Sequence, residues 1–165
     1  MSGQFFVISS RAPARPDMFT LVTSTLTAGL ALSSLVLLGR LSGHMLLVPS
    51  MAASMALIAG APALPLSQPR AVVGGQVLSA LIGVGVGMIS HSLWAAAVAG
   101  ALALGAMMMT RTAHSPAAAT AVIGALAVGG QAAFVAGVAV AAVVLVIFGL
   151  ARARLTRAAY PAYWW

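Results

Sequence analysis

Arg111-Thr112-Ala113-His114-Ser115-Pro116 interrupts an apolar chain with a guanidinium, an imidazole, two hydroxyls and a helix-starting proline, and the small-residue tract Ala117 to Ala121 follows at once. The role of this polar knot decides the fold. It is either a turn between two full membrane crossings or the edge of a re-entrant segment.

The surrounding composition fixes the solvent. Hydrophobic residues make up 62% of the 165, charged residues 5%, and the mean hydropathy is +1.09. A soluble domain carries roughly 25% charge, so this chain is an integral membrane protein whose first partner is the lipid bilayer. The formal charge of +7 comes entirely from Arg, since the chain has no Lys and no Glu and Asp17 is its one acidic residue. The Arg residues sit at the ends of apolar runs and form no continuous basic face, which excludes nucleic-acid binding. The absence of Cys excludes a disulfide framework, a thiol nucleophile and a thiolate metal site. Paired carboxylates are lacking, and His44, His91 and His114 lie on separate elements without metal-ligand spacing. No enzyme activity, metal or cofactor is therefore expected.

Against the roughly 20 apolar residues that cross a bilayer, full spans are predicted at 19–39, 72–90, 92–110 and 133–151. Two further runs are short or broken: 44–61, which holds Pro49, and 115–130, which is mostly Ala, Gly and Thr. Four crossings with two re-entrant segments, or six crossings, would both use these runs. Basic residues accumulate in cytoplasmic loops. Six crossings put Arg11, Arg15, Arg70, Arg111, Arg152, Arg154 and Arg157 on one side and Arg40 alone on the other, seven against one; four crossings give only five against three. The expected fold is thus an all-α membrane protein, a bundle of about six transmembrane helices over 19–151. Both termini would be cytoplasmic, with an N-terminal tail over 1–18 and a basic-aromatic tail over 152–165. Arg11 and Arg15 follow the apolar Phe5 to Ile8 instead of preceding it, which argues for a retained tail and against a signal peptide. Tyr160, Tyr163, Trp164 and Trp165 suit an interfacial anchor, and the terminal Arg residues are expected to snorkel to headgroups.

Met51 to Ala59 aligns without gaps on Ala117 to Ala125 at a shift of about 66 residues, and His44 and His114 lie upstream of the two tracts. Three helices per half is an odd number, so this predicts an inverted 3+3 repeat, a common plan of secondary transporters with the binding site near the repeat interface. Gly75, Ser79, Gly83 and Gly87 recur every four residues on one face of the third span, a pattern for close helix packing within the chain.

Polar groups at membrane depth are costly and tend to have partners or functions. Arg70 and Arg111 fall on the same side in the six-helix reading, with no carboxylate nearby to neutralise them. A helix starting at Ser115-Pro116 would add the partial positive charge of its first N–H groups, with His114 or Ser115 as cap and Thr120 one turn further in. Together these residues would attract a small anion, and the imidazole could couple binding to protons.

Leu66-Ser67-Gln68-Pro69-Arg70-Ala71-Val72-Val73-Gly74-Gly75, Leu78 to Gly83, and Thr110 to Ala121 resemble the signature segments of the HPP family of integral membrane proteins. The family's His-Pro-Pro tripeptide stands here as His114-Ser115-Pro116, and its usual Gly in the next tract is Ala118. The resemblance covers about residues 20 to 151. Family members of plastids and cyanobacteria are associated with nitrite transport. A small-anion transporter or channel is therefore expected, with Arg70, Arg111, His114, Ser115 and Thr120 as binding residues, and the resemblance implies nitrite or a similar monovalent oxyanion as substrate. The alternative is a non-catalytic accessory subunit in a larger membrane complex or homo-oligomer. The Arg-rich, Lys-free composition suggests a GC-rich bacterial genome, hence the bacterial cytoplasmic membrane.

Overall fold

The computed structural model describes residues 14–164. Within them the chain forms six α-helices: α1 Met18–Ser42, α2 Pro49–Gly60, α3 Gly75–Gly87, α4 Leu93–Met109, α5 Ser115–Leu126 and α6 Gln131–Thr156. A short 3-10 turn, Pro65–Ser67, and a π-helical turn, Arg70–Gly74, lead into α3. Three helical stretches are long and apolar enough to cross a membrane: Met18–Ser42, Arg70–Gly87 and Gln131–Thr156. The others, α2, α4 and α5, are shorter apolar helices. Most of the expected tail over 1–18, including Arg11, lies outside the described residues, as does Trp165.

Local chemistry sets the helix ends. Asp17 caps α1 by accepting from the Thr20 amide at 2.7 Å, and Ser92 caps α4 by accepting from Ala95 N–H at 3.2 Å. Pro49 and Pro116 occupy the first turns of α2 and α5, where a missing N–H costs nothing. Gly43 ends α1 in the left-handed conformation.

Where the sequence predicts a helix over 44–61, α2 occupies only Pro49–Gly60. Residues 45–48 run non-helically ahead of it with Leu46 and Val48 buried, because a residue before proline is biased away from the α region. The stretch 112–114 precedes α5 in the same non-helical manner.

The bundle has two packing groups. Helices α1, α2 and α6 pack on one another, as do α3, α4 and α5, and the groups meet through α3 against α6 and α2 against α5. Leu35, Met51, Met55, Ile58 and Leu145 fill the first core. The second is built from small residues, Ala96, Ala99, Ala103, Ala121 and Ala125, which bring backbones close. The stripe predicted on the third span lies in this interface. A Cβ on Gly83 would collide with the Ala121 backbone, and one on Gly87 would come within 2.9 Å of the Ala125 carbonyl oxygen.

The start of α1 and the end of α6 line one pocket with the end of α2. Arg70, Thr112 and Trp164 line another, and the Ala162 amide donates to Gln68 Oε1 at 2.8 Å. Arg15, Arg70, Arg111, Arg152, Arg154 and Arg157 therefore gather at one end of the bundle, while Arg40 lies at the far end of α1. The aromatic tail divides: Tyr163 and Trp164 are exposed, but Tyr160 is buried against Gly149. Burial raises the Tyr160 pKa, and its hydroxyl has no hydrogen-bond partner among the described residues. Arg152 is also buried, 8% exposed, so it does not snorkel outward as its sequence position predicts.

Candidate functional site

Gly74 and Gly75 create the seat for the polar knot. A Cβ on Gly75 would stand 2.7 Å from the Thr112 carbonyl oxygen and 3.0 Å from His114 Cβ, and one on Gly74 2.9 Å from Thr112 Cγ2. Only at glycine can the 112–114 segment lie this close to the backbone at the start of the third span. That approach carries His114 inward as the N-cap residue of α5, the residue being 1% exposed.

The imidazole is held at both nitrogens. Its Nδ1 lies 2.7 Å from the Leu66 carbonyl oxygen. A carbonyl only accepts, so Nδ1 carries the proton. Nε2 lies 2.8 Å from Ser54 Oγ on α2. Ser54 Oγ also lies 2.8 Å from the Ser50 carbonyl oxygen and receives a hydrogen bond from Gln76 Nε2 at 2.8 Å. The one Ser54 proton thus has two acceptors in reach, Nε2 of a neutral His114 and the Ser50 carbonyl.

Thr120 closes the other side of the cluster. Its hydroxyl faces Ser50 Oγ at 2.7 Å and Gln76 Oε1 in a short hydrogen bond. Ser50, Ser54, Gln76, His114 and Thr120 are all buried, so helices α2, α3 and α5 converge on one polar centre in an otherwise apolar bundle. Ser50 faces Thr120 and Ser54 faces His114, so α2 and α5 pass in opposite directions with their N-terminal halves overlapping.

The remaining predicted binding residues stand outside this centre. Arg70 is half-buried, and its Nη2 donates to the Thr110 carbonyl at 3.0 Å, tying the start of the third span to the end of α4. Arg111 follows α4 in the left-handed conformation, φ 57°, with its side chain exposed. Ser115 is exposed at the start of α5. His114 and Ser115 border a cavity of about 490 Å³ between α4 and α5, otherwise lined by apolar residues such as Leu104, Met107 and Met108. The structure therefore unites His114 with Thr120, and leaves Arg111 and Ser115 toward the outer edge.

Sequence reasoning missed Gln76, Ser50 and Ser54. Gln76 carried a readable signal, being an amide within an apolar span, where polar groups face the protein interior. It also missed Gln68, which is buried and donates to the carbonyls of Pro62 at 2.9 Å and Leu64 at 3.0 Å, pinning the turn that presents Leu66 to His114.

A helical bundle with membrane-length apolar helices and a buried hydroxyl–amide–imidazole centre defines a polytopic membrane protein. The HPP transmembrane-region family model matches residues 13–161, and the chain belongs to the HPP family. It is similar to two transmembrane proteins of Dictyostelium discoideum. One is 35% identical over 122 residues, 68% of this chain and 39% of the relative; the other is 33% identical over 129 residues, 72% of this chain and 45% of the relative. The chain thus spans less than half the length of these curated relatives. No solved structure matches it.

Proposed function

We propose that this protein carries a small anion across the cytoplasmic membrane of a bacterium, a nitrite-like monovalent oxyanion being the first to test. One observation carries the reading: two 12-residue helices, α2 and α5, overlap their N-terminal halves in opposite directions around a buried polar centre. Helix N-termini carry partial positive charge. Asp17, the one carboxylate side chain, is exposed at the head of α1 and leaves this centre free of acidic repulsion. Interrupted helices whose N-termini meet near mid-membrane are how many secondary transporters hold anionic groups.

A correspondence between the two halves supports the same reading, and we take it as an inverted repeat. Shifting α2 by 66 residues superposes its span residue for residue on α5, and Val48, its N-cap, on His114. The shift places Ser54 on Thr120, the two hydroxyls that share Gln76. It also places Gly149 and Ile58, which touch between α6 and α2, on Gly83 and Gly124, which touch between α3 and α5. Exchange of the two halves preserves the packing scheme, α1 with α2 and α6 mapping onto α4 with α5 and α3.

Six crossings follow in this reading. A 12-residue helix rises roughly 18 Å, and three or four extended residues add about 10–13 Å, close to the ~30 Å hydrocarbon core. The six Arg at one end of the bundle would mark the cytoplasmic side, where both termini would lie.

Uptake of nitrite, nitrate, formate and chloride into proteoliposomes containing the pure chain tests the function. The expected result is saturable anion flux, reduced at least tenfold by His114→Ala and Thr120→Val and lowered by Arg70→Ala and Arg111→Ala. Wild-type flux no greater than that of empty vesicles would overturn the proposal.

A further inference from the structure

The pocket between the start of α1, the end of α2 and the end of α6 encloses about 400 Å³ and is lined by Asp17, Thr20, Gly60, Arg152 and Thr156 among others. It lies at the Arg-rich end of the bundle, away from the His114 centre. Arg152 is 8% exposed, and its Nε is fully buried without a hydrogen-bond partner among the described residues. Arg154 and Arg157, on the same terminal segment, are exposed. A guanidinium keeps its charge at any working pH, and a buried charge without full hydrogen bonding is costly. Arg152 therefore brings to the pocket wall a positive charge that no carboxylate among the described residues pairs with. Asp17 does not take this role: no ion pair joins it to Arg152 among the described residues, and its oxygens accept from the Thr20 amide at 2.7 Å and the Thr20 hydroxyl at 3.1 Å.

We propose that this pocket holds the headgroup of an ethanolamine-type phospholipid, with the phosphate on Arg152 and the ammonium toward Asp17. The pocket is dipolar in the right sense. The Arg152 guanidinium favours a phosphate, whereas the Asp17 carboxylate, which already caps the first turn of α1, and the carbonyl end of α2 at Ala59 and Gly60 favour a cation. Planar guanidinium suits bidentate contact with phosphate oxygens. The pocket wall also names a lipid as the source of that phosphate. Phe19 lines it while 65% exposed, and Val22, Leu26 and Leu30 continue an exposed apolar track along α1 at helical spacing. An acyl chain fits that track and a soluble phosphate has no use for it. This inference is independent of the transport reading.

Native mass spectrometry of the full chain, titrated with phosphatidylethanolamine, phosphatidylglycerol and phosphatidylcholine, tests it. Wild type should retain phosphatidylethanolamine preferentially. Arg152→Gln should weaken that binding at least tenfold, and Arg152→Lys should restore part of it. Asp17→Asn should erase the preference for ethanolamine over glycerol without weakening phosphatidylglycerol. Should Arg152→Gln fail to fold, Ala158→Trp, which fills the pocket and leaves the cation in place, should show the same loss. Equal phosphatidylethanolamine retention by wild type and either folded variant would overturn the proposal. So would inorganic phosphate or glycerophosphoethanolamine binding the delipidated protein as tightly as the lipid does, since the ligand would then be soluble.

Discussion

Thr120 and Ser54, from separate short helices, bond to opposite ends of one carboxamide: Gln76 donates through Nε2 to Ser54 and accepts at Oε1 from Thr120. Each bond in this buried centre is held from more than one side, so single substitutions there should differ sharply in cost.

Ser54→Ala removes the partner of both His114 Nε2 and Gln76 Nε2. A buried group left unsatisfied costs about 1–3 kcal/mol. Gln76→Leu is expected to cost less, because Thr120 keeps Ser50 Oγ and Ser54 keeps His114 and the Ser50 carbonyl. Thermal or denaturant unfolding in detergent should rank Ser54→Ala as the more destabilised, and the reverse order would contradict the hydrogen-bond assignment.

His114 should exist as the Nδ1–H tautomer while neutral, since Nδ1 faces the Leu66 carbonyl, which can only accept. Nitrogen chemical shifts of selectively labelled histidine in bilayers read this directly. An Nε2–H tautomer would mean that the 65–67 turn does not hold the ring as described.

Glycines on α3 should respond oppositely to alanine. Gly83→Ala drives a methyl into the Ala121 backbone and separates α3 from α5, with an expected loss of about 1–3 kcal/mol. Gly85→Ala meets nothing within 4 Å and should gain about 0.5–1 kcal/mol of helix stability. Parallel unfolding curves of the two variants provide the check.

Arg111 occupies a left-handed backbone position that costs a side-chain-bearing residue about 1–2 kcal/mol. Arg111→Gly should therefore stabilise the protein by roughly 1 kcal/mol, while Arg111→Ala keeps the strain. If both variants lose flux equally although their stabilities diverge, the guanidinium itself serves transport; if both keep wild-type flux, it does not.

Asp17 is held below the usual carboxylate range by the amide and hydroxyl of Thr20. A depressed folded-state value means that the cap stabilises α1 above the unfolded pKa of about 4, and that this contribution is lost as the pH falls through the lower folded value. Hydrogen exchange at the Thr20 amide should accelerate selectively below about pH 4 relative to the middle of α1, after correction for intrinsic rates. Asp17→Asn should flatten that dependence.

Apolar run lengths made the six helices legible, and the Gly75 to Gly87 stripe made the α3 interface legible, because both are periodic in sequence. The polar centre was half legible. His114 and Thr120 stood out beside Pro116, whereas Ser50 and Ser54 are small residues common in membrane helices, and only the crossing of α2 over α5 gives them partners. Arg111 stood out because charge in an apolar chain attracts notice, while the left-handed turn that leaves it exposed carries no sequence signal, since glycine is the residue expected there. Likewise, nothing in Ala151-Arg152-Ala153-Arg154 distinguishes the buried Arg152 from the exposed Arg154. One faces the end of α2 and the other faces away, which is a matter of helix rotation.

The two acceptors competing for one Ser54 proton give the centre a bookkeeping freedom of its own. When His114 is neutral, Ser54 can donate to Nε2; when the ring gains a second proton, Nε2–H donates to Ser54 and the serine proton turns to the Ser50 carbonyl. No heavy atom need move, and the imidazole keeps both its contacts. An incoming proton therefore reverses the direction of the chain from His114 through Ser54 to the first turn of α2, turning a structural clasp into a wire with two polarities.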